Sequence, residues 1–421
     1  MFSYVPDGMP HTAGAVLLAC ALAAMPALCG AQSDPTSPRA APTQPPAPVG
    51  KGAAGPASSA AAMDAPASGP PAAPPGPPSG MALILPAKAP GFERAAEVTR
   101  KGFLVAREVS TDKPAVLVLE TDGTAAGAVA AYQEALAKNV AVVVGPLTKT
   151  EVAAVQNETI RVPTLMLNAP DGALSAARGL YVLSLSTELE AKLAAETAYR
   201  SDAGSAVIVT TPSPLSRRAA AAFADAWTKL GGTVKDTLEY AGNPVKIKRG
   251  VDRAKGDVIF LAADAERARV IKPFLGRNTM VISTSQVYSV PPKAEGAVVV
   301  AGHSEPLKVN DLNGLRFIDM PWLHQPDHTA VMVYARASPP LSADLERLYA
   351  LGIDAFRVAE QLARRRSDFE LDGVTGRLAV HEGVIDRAPI EAEYRDGAPV
   401  PLDGAVLAHG AADTGSAGAG H

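Results

Sequence analysis

Small polar side chains follow several predicted strands of this chain, where they could contact a bound molecule. The apolar run from Val140 to Val144 predicts a strand that is buried on both faces. Gly145-Pro146 ends that strand, and Thr148 is a suitable cap for the helix that follows. Ligands of open α/β sheets bind outside the carboxyl ends of such strands. We therefore expect a groove lined by Thr148, Lys149, Thr150, Asn168, Ser186, Thr187, Ser283, Thr284 and Ser285.

These side chains could line a ligand site. Asp264 or Glu188 could serve as the fixed partner of a ligand amine, but the sequence pattern singles out neither. A purely structural role is the alternative, because Ser, Thr, Asn and Asp are also the preferred helix caps and turn formers. Trp322 also has two interpretations, as an anchor for a partner protein or as packing within a connection between two lobes.

Catalytic and metal-binding motifs are absent from the sequence. It contains no Gly-x-x-x-x-Gly-Lys-[Ser/Thr], Gly-x-Ser-x-Gly or His-Glu-x-x-His. His324 and His328 are four residues apart, but Pro326 between them opposes a shared helical face. The segment Thr121 to Thr124 could line a phosphate site, although a turn and a helix cap explain it better. We therefore predict a protein that is not an enzyme and that uses no cofactor and no metal.

Length, charge and cysteine content limit the class of protein. The chain has 421 residues, which is enough for two or three compact units. Its net charge of −4 comes with no basic block, and this argues against nucleic acid as a partner. The two cysteines, Cys20 and Cys29, both lie in the N-terminal apolar segment, so the rest of the chain has neither a disulfide framework nor a cysteine metal site.

The N-terminal apolar segment is typical of an export signal. Ala13 to Leu28 is apolar, but it is too short, and too interrupted by Pro26, for a comfortable membrane span. Cys20 and Cys29 are the candidates for lipidation at a lipoprotein cleavage site. Cleavage near Ala31 without lipidation, which would release the exported protein, is the alternative.

The composition predicts four regions along the chain. Residues 1–32 form the signal, and residues 33–80, rich in Pro, Ala and Gly, form a disordered tether because they can bury little apolar surface. Residues 81–403 form a two-lobed domain, and residues 404–421 form a flexible tail. We assign about 81–185 plus 325–365 to the first lobe, and about 186–305 plus the C-terminal strands to the second.

Strands alternate with helices along the two-lobed region, and the alternation starts again after Thr187. It includes a predicted strand at Ala297 to Ala301 and loosens over residues 311–323. The apolar stripe of Ser342 to Arg365 predicts the clearest helix, and Gly373 to Leu402 alternates like an antiparallel sheet. This order predicts an α/β fold with two doubly wound, Rossmann-like halves in tandem.

Several segments of the two-lobed region match the pattern of a known family. The two most specific pieces are Asp-Met-Pro-Trp-Leu, which begins at Asp319, and Leu-Tyr-Ala-Leu-Gly-Ile-Asp-Ala, which begins at Leu348 within the longer matching piece L-E-R-L-Y-A-L-G-I-D-A-F-R-V-A at Leu345. Through these pieces the chain resembles the penicillin-binding protein activator (LppC) family of outer-membrane lipoproteins. The other matching pieces are M-A-L-I-L-P at Met81, G-P-L-T-K-T-E-V-A-A-V at Gly145, F-L-A-A-D-A-E-R-A-R-V-I-K-P at Phe260, L-N-G-L-R-F-I at Leu312 and G-V-T-G-R-L at Gly373.

The resemblance implies both a fold and a function. The fold is that of type I periplasmic binding proteins, in which two doubly wound, Rossmann-like α/β lobes are joined by crossover strands around a cleft. The function is non-enzymatic activation of a class A penicillin-binding protein, which polymerises and cross-links peptidoglycan, from an anchor in the inner leaflet of the outer membrane. Enterobacterial relatives carry a helical-repeat domain where this chain has the tether. The alternative function is that of a periplasmic binding protein for an amino-acid-like ligand, serving a transporter or a sensor.

Overall fold

The computed structural model describes residues 77–170, 179–276, 278–289, 309–381 and 383–402. The predicted signal with Cys20 and Cys29, nearly all of the tether, the predicted strand Ala297 to Ala301 and the C-terminal tail lie outside these residues. None of the described helices combines the length and the apolar composition needed to cross a membrane.

The first lobe is a parallel sheet whose two faces are covered by helices. The sheet has the strand order β2-β1-β3-β4-β5, and β1 pairs in register with both β2 and β3. Strands β1 and β3 are buried along their whole length, as their unbroken apolar sequence predicts. The elements are β1 (Met81–Leu85), α1 (Glu93–Val109), β2 (Val116–Glu120), α2 (Ala125–Ala137), β3 (Val142–Val144), α3 (Lys149–Val155), β4 (Thr164–Met166) and β5 (Leu180–Val182).

The second lobe repeats this construction on a larger sheet. Its chain runs through α4 (Thr187–Tyr199), β6 (Ser205–Thr210), α5 (Pro214–Lys229), β7 (Thr233–Glu239), α6 (Pro244–Ala254), β8 (Val258–Ala262), α7 (Ala265–Ile271), β9 (Met280–Ser283) and β10 (Leu315–Asp319). The rest of the chain forms α8 (Pro321–His324), α9 (Thr329–Met332), α10 (Ala343–Ala363), β11 (Phe369–Asp372), β12 (Arg377–His381), β13 (Val384–Ala388), β14 (Ile390–Arg395) and β15 (Ala398–Pro401).

The C-terminal strands divide between two sheets. Strands β14 and β15 extend the second sheet, whose order is β15-β14-β10-β9-β8-β6-β7, and both pair in antiparallel fashion. Strands β11, β12 and β13 form a separate antiparallel sheet. Strand β10 pairs with β9 on one side and with β14 on the other. The chain therefore comes back to the second sheet at β14, after it has formed α8 to α10 and β11 to β13.

Helix α10 packs on the first lobe, although it follows the second lobe in sequence. It shares an apolar core with α1 and the first sheet, and Phe103 meets Phe356 edge to face at 5.2 Å between ring centroids. Two glycines allow the helix backbones to touch: a Cβ on Gly102 would lie 1.9 Å from the carbonyl oxygen of Tyr349, and a Cβ on Gly352 would lie 2.1 Å from that of Thr99. The tight contact fixes α10 as a rigid support for the residues at its start.

Several elements of the structure are missing from the sequence prediction, among them β10 and α6. The segment predicted to be loose contains β10, a strand in the middle of the second sheet. Arg316 and Asp319 interrupt the apolar pattern of β10. Asp319 is part of a buried polar cluster. Helix α6 is also missing from the prediction. Its sequence is rich in basic residues, and the local signal for its start is short, with Asn243 as the cap and Pro244 as the first residue.

Candidate functional site

Two of the predicted groove residues of the first lobe, Thr148 and Asn168, form hydrogen bonds to the backbone of the same lobe. Thr148 caps α3 as predicted: its hydroxyl accepts from the backbone N–H of Glu151 at 3.3 Å and donates to the Glu151 carboxylate at 2.8 Å. The buried Glu151 carboxylate also accepts from the hydroxyl of Thr121. The Asn168 side-chain amide donates to the carbonyl of Leu147 at 3.1 Å. Of the two residues that follow the cap, Lys149 is half-buried and Thr150 is exposed.

The predicted groove residues of the second lobe are similarly engaged. Ser186 caps α4, of which Thr187 is the first residue. Ser283 is buried and donates to the Leu261 carbonyl at 2.6 Å, and Thr284 is buried beside it. The two candidate carboxylates for a ligand amine already have arginine partners, Glu188 with Arg218 at 2.7 Å and Asp264 with Arg267. A ligand role for these residues stays a prediction.

A cavity in the first lobe lies away from the predicted groove. It has a volume of about 410 Å³ and lies beside the edge strand β2, with Lys88, Glu120 and Glu134 among the residues that line it. None of the predicted groove residues is among its described lining residues.

The densest polar cluster that we find lies where the lobes join, around the buried carboxylate of Asp319 at the end of β10. Arg347 of α10 contacts both of its oxygens, with Nε 3.2 Å from Oδ1 and Nη2 2.9 Å from Oδ2. His324 of α8 lies 2.9 Å from Oδ2, and the backbone N–H of Met320 donates to Oδ1. Arg347 also donates to the carbonyl of Ser285 at 2.9 Å. One carboxylate thus connects β10, α8 and α10, and its arginine reaches the loop after β9.

Charge pairing determines the ionisation of this cluster. Burial alone would raise the pKa of Asp319, but the charge of Arg347 and the hydrogen bond from His324 hold that pKa well below its usual range. Burial alone would lower the pKa of Arg347, and Asp319 raises it instead. Both groups are therefore charged at neutral pH.

A second acid–arginine contact lies next to the first. Glu190 of α4 accepts from the backbone N–H of Ser285 at 3.0 Å, and its other oxygen lies 3.9 Å from Nη2 of Arg387 on β13. Arg387 donates from Nη1 to the carbonyl of Thr375, while its Nε and Nη2 atoms have no hydrogen-bond partner among the described residues. Burial raises the pKa of Glu190 and lowers that of Arg387.

The motif residues quoted above meet one another at this junction. Asp319 contacts Arg347, and the indole N–H of Trp322 donates to Glu346 at 2.7 Å. Further along α10, the buried Asp354 accepts from the backbone N–H and the hydroxyl of Thr375, at 2.8 and 2.7 Å. Segments that are far apart in sequence thus contribute side chains to the same buried polar contacts.

Trp322 and the two histidines also have defined surroundings. Trp322 is fully buried, and the guanidinium of Arg336 lies over its ring at 3.8 Å from the centroid. The rings of His324 and His328 have different partners, Asp319 for the first and the backbone N–H of Ala330 for the second. No group of three or more potential metal ligands occurs among the residues that the structure describes.

Sequence reasoning missed the four charged residues of the junction. The Asp-Met-Pro-Trp-Leu piece includes Asp319, and the piece at Leu345 includes Arg347, so the resemblance could have indicated the first pair. Glu190 and Arg387 lie in segments with no distinctive local pattern, and only the tertiary fold brings them together.

Solved structures place this architecture among the type I periplasmic-binding-protein folds, as the sequence predicts. A Chromobacterium violaceum protein described as a "putative branched-chain amino acid ABC transporter" matches with a TM-score of 0.62 and 33% identity, over 74% of this chain and 99% of that one. The C-domain of LpoA from Haemophilus influenzae, described as a regulator of PBP1A, matches with a TM-score of 0.61 and 23% identity, over 76% of this chain and 99% of that one.

The family is also defined by sequence. Residues 75–397 match the family described as "LppC putative lipoprotein", and the chain belongs to this family. The penicillin-binding protein activator LpoA of Enterobacter sp. (strain 638) is 27% identical over 303 residues, and the match covers 62% of this chain and 41% of that protein. The chain thus spans about two-fifths of the length of this curated relative.

Proposed function

We propose that this protein is a non-enzymatic regulator of the bacterial envelope that docks on a class A penicillin-binding protein and activates it. The observation that carries the proposal is the coincidence of the family match, residues 75–397, with the two-lobed module. Relatives that share this module are named penicillin-binding protein activators. The junction between the lobes is built from the family's motif residues, which suggests that the geometry of the junction serves the shared function.

The proposed location is the periplasm, at the inner leaflet of the outer membrane. Cys20 or Cys29 would carry the lipid, and residues 33–80 would allow the module to reach its partner. Palmitate labelling of the wild type, Cys20→Ser and Cys29→Ser in cells tests the anchor. Loss of label in one variant identifies the lipidated cysteine, and an unlabelled wild type contradicts lipidation.

The function is tested by adding the purified module to the class A penicillin-binding protein from the same genome. We expect the rate of glycan polymerisation or of peptide cross-linking to rise with module concentration and then to saturate. Heat-denatured module is the control for nonspecific effects. Unchanged rates, measured with a synthase that is active alone, would reject the proposal.

Binding of a small amino-acid-like ligand is the second candidate function. It is favoured by the similarity to the Chromobacterium violaceum protein, whose description names branched-chain amino acid transport. Thermal unfolding in the presence of amino acids and peptidoglycan fragments tests it, because a ligand that binds the folded state raises the melting temperature as its concentration increases. Melting temperatures independent of every ligand would argue against this function.

A further inference from the structure

The last residue of α9 and the loop that follows it combine exposed apolar side chains with an oriented cation. Met332 and Val333 are consecutive and have 66% and 52% of their surface exposed. Three residues later, the Arg336 guanidinium lies on the Trp322 ring at 3.8 Å from the centroid. Met and Arg are both enriched at protein interfaces relative to the rest of the protein surface. We call Met332, Val333 and Arg336 the loop surface.

The interior holds this loop surface in place. The Trp322 indole donates to Glu346 of α10 at 2.7 Å, and the Tyr349 hydroxyl of the same helix donates to the Ala335 carbonyl at 2.9 Å. The Arg336 guanidinium is therefore oriented before any partner arrives, which lowers the entropy cost of binding. Within the described residues, no carboxylate oxygen lies within 4.0 Å of its nitrogens. The Glu346 carboxylate acts on its charge from a greater distance, and the exposed part of the guanidinium can pair with a carboxylate of a partner.

We propose that the loop surface is a docking site for a protein that presents a carboxylate beside apolar side chains. The inference rests on the proposed function, in which this protein is the class A penicillin-binding protein. An exposed surface of this kind suits a protein better than a small ligand, since small ligands are bound in concave sites that enclose them. Arg336 would pair with the carboxylate, while Met332 and Val333 would bury their side chains against the apolar neighbours.

The position of the loop surface suggests how docking of a partner would affect the junction between the two lobes. Trp322 lies three residues after Asp319, and Glu346 precedes Arg347, so the loop surface rests on the same segments that join the lobes. A partner that binds Arg336 therefore contacts the support of the junction.

Charge reversal of Arg336 is the decisive experiment. Full-length Arg336→Glu and the double variant Met332→Ser/Val333→Ser are titrated into the synthase, with binding measured by biolayer interferometry and activation by glycan polymerisation. We expect the dissociation constant to rise about tenfold or more for each variant, as for a hot-spot residue. Arg336→Lys, which keeps the charge but not the planar stacking, should show an intermediate loss.

Matched controls lie on the second lobe. Arg249 of α6 is exposed, and Val270 of α7 is 45% exposed. Arg249→Glu and Val270→Ser should bind and activate within about twofold of the wild type, because an isolated surface change contributes little. Unchanged melting temperatures would show that all variants are folded.

The outcomes separate the two proposals. If Arg336→Glu binds the synthase as well as the wild type does, the loop surface is not the docking site, while the proposed function stands. If the wild type neither binds nor activates, the proposed function fails and this inference fails with it. If the wild type is a dimer by size-exclusion chromatography and Arg336→Glu is a monomer, the surface joins two copies of this chain, and the inference is overturned.

Discussion

Two acid–arginine contacts cross the junction of this protein, and they differ in geometry rather than in burial. Asp319 and Arg347 are buried, and two nitrogens of the arginine contact two oxygens of the carboxylate at 3.2 and 2.9 Å. Glu190 and Arg387 are equally buried, but they approach only to 3.9 Å, and two nitrogens of Arg387 lack a hydrogen-bond partner among the described residues.

The difference teaches that burial of opposite charges is not enough to stabilise a fold. Removing two charges from water costs several kcal/mol per ion, and only good geometry with further hydrogen bonds offsets that cost. Asp319 has those bonds, from His324 and from the Met320 backbone. We infer that the Asp319–Arg347 contact fixes the two lobes, while the Glu190–Arg387 contact contributes little at its present separation.

The largest expected effect comes from breaking the first contact. Asp319→Asn keeps the shape of the side chain but removes the buried counter-charge of Arg347, whose remaining ion pair among the described residues is with the exposed Asp344 at 2.9 Å. We expect the free energy of unfolding to fall by about 3–5 kcal/mol, the usual cost of separating a buried pair. Urea denaturation followed by circular dichroism measures it. Asp225→Asn, which removes an exposed ion pair with Lys229, is the control and should cost less than about 1 kcal/mol.

The contrast explains which parts of the molecule sequence reasoning could predict. Local patterns define β3, whose apolar run is unbroken, and the Thr148 cap, whose partner Glu151 is three residues away. The same reasoning failed for β10. Asp319 interrupts the apolar pattern of this strand and pairs with Arg347, which lies 28 residues further along the chain. The predicted groove residues were assigned to a ligand from their types and their positions after strands, with a structural role as the alternative. Asn168 and Ser283 donate to the carbonyls of Leu147 and Leu261, which lie 21 and 22 residues away, so no local pattern indicates these bonds.

A smaller effect is expected from breaking the second contact. Glu190→Gln keeps an oxygen that can accept from the Ser285 backbone N–H and removes the charge that faces Arg387 at 3.9 Å. We expect a change of about 1 kcal/mol or less in the free energy of unfolding at pH 7, comparable to one ordinary hydrogen bond. The same urea titration measures it beside Asp319→Asn. Equal losses in the two variants would mean that geometry does not distinguish the contacts.

The smallest effect is a difference in pH dependence, and it has opposite signs for the two acids. The folded-state pKa of Asp319 is lowered, so its stabilising contribution is complete above the unfolded value of about 3.9 and is lost as the pH falls through the folded value. The folded-state pKa of Glu190 is raised by burial, so its ionised form destabilises the fold at neutral pH. That penalty disappears as the pH falls through the folded value towards about 4.3, its value in the unfolded chain.

Comparing Glu190→Gln with the wild type isolates this contribution, because other titrating groups cancel in the difference. The variant lacks the penalty at every pH, whereas the wild type loses it only on acidification. The variant should therefore be most stable, relative to the wild type, at pH 8 and should lose that relative stability between pH 8 and about pH 4. Urea titrations at several pH values in this range measure the difference. A stability difference that does not change with pH would mean that Glu190 has the same pKa in the folded and unfolded chains. The charge of Arg387 would then offset the effect of burial on that pKa, despite the separation of 3.9 Å.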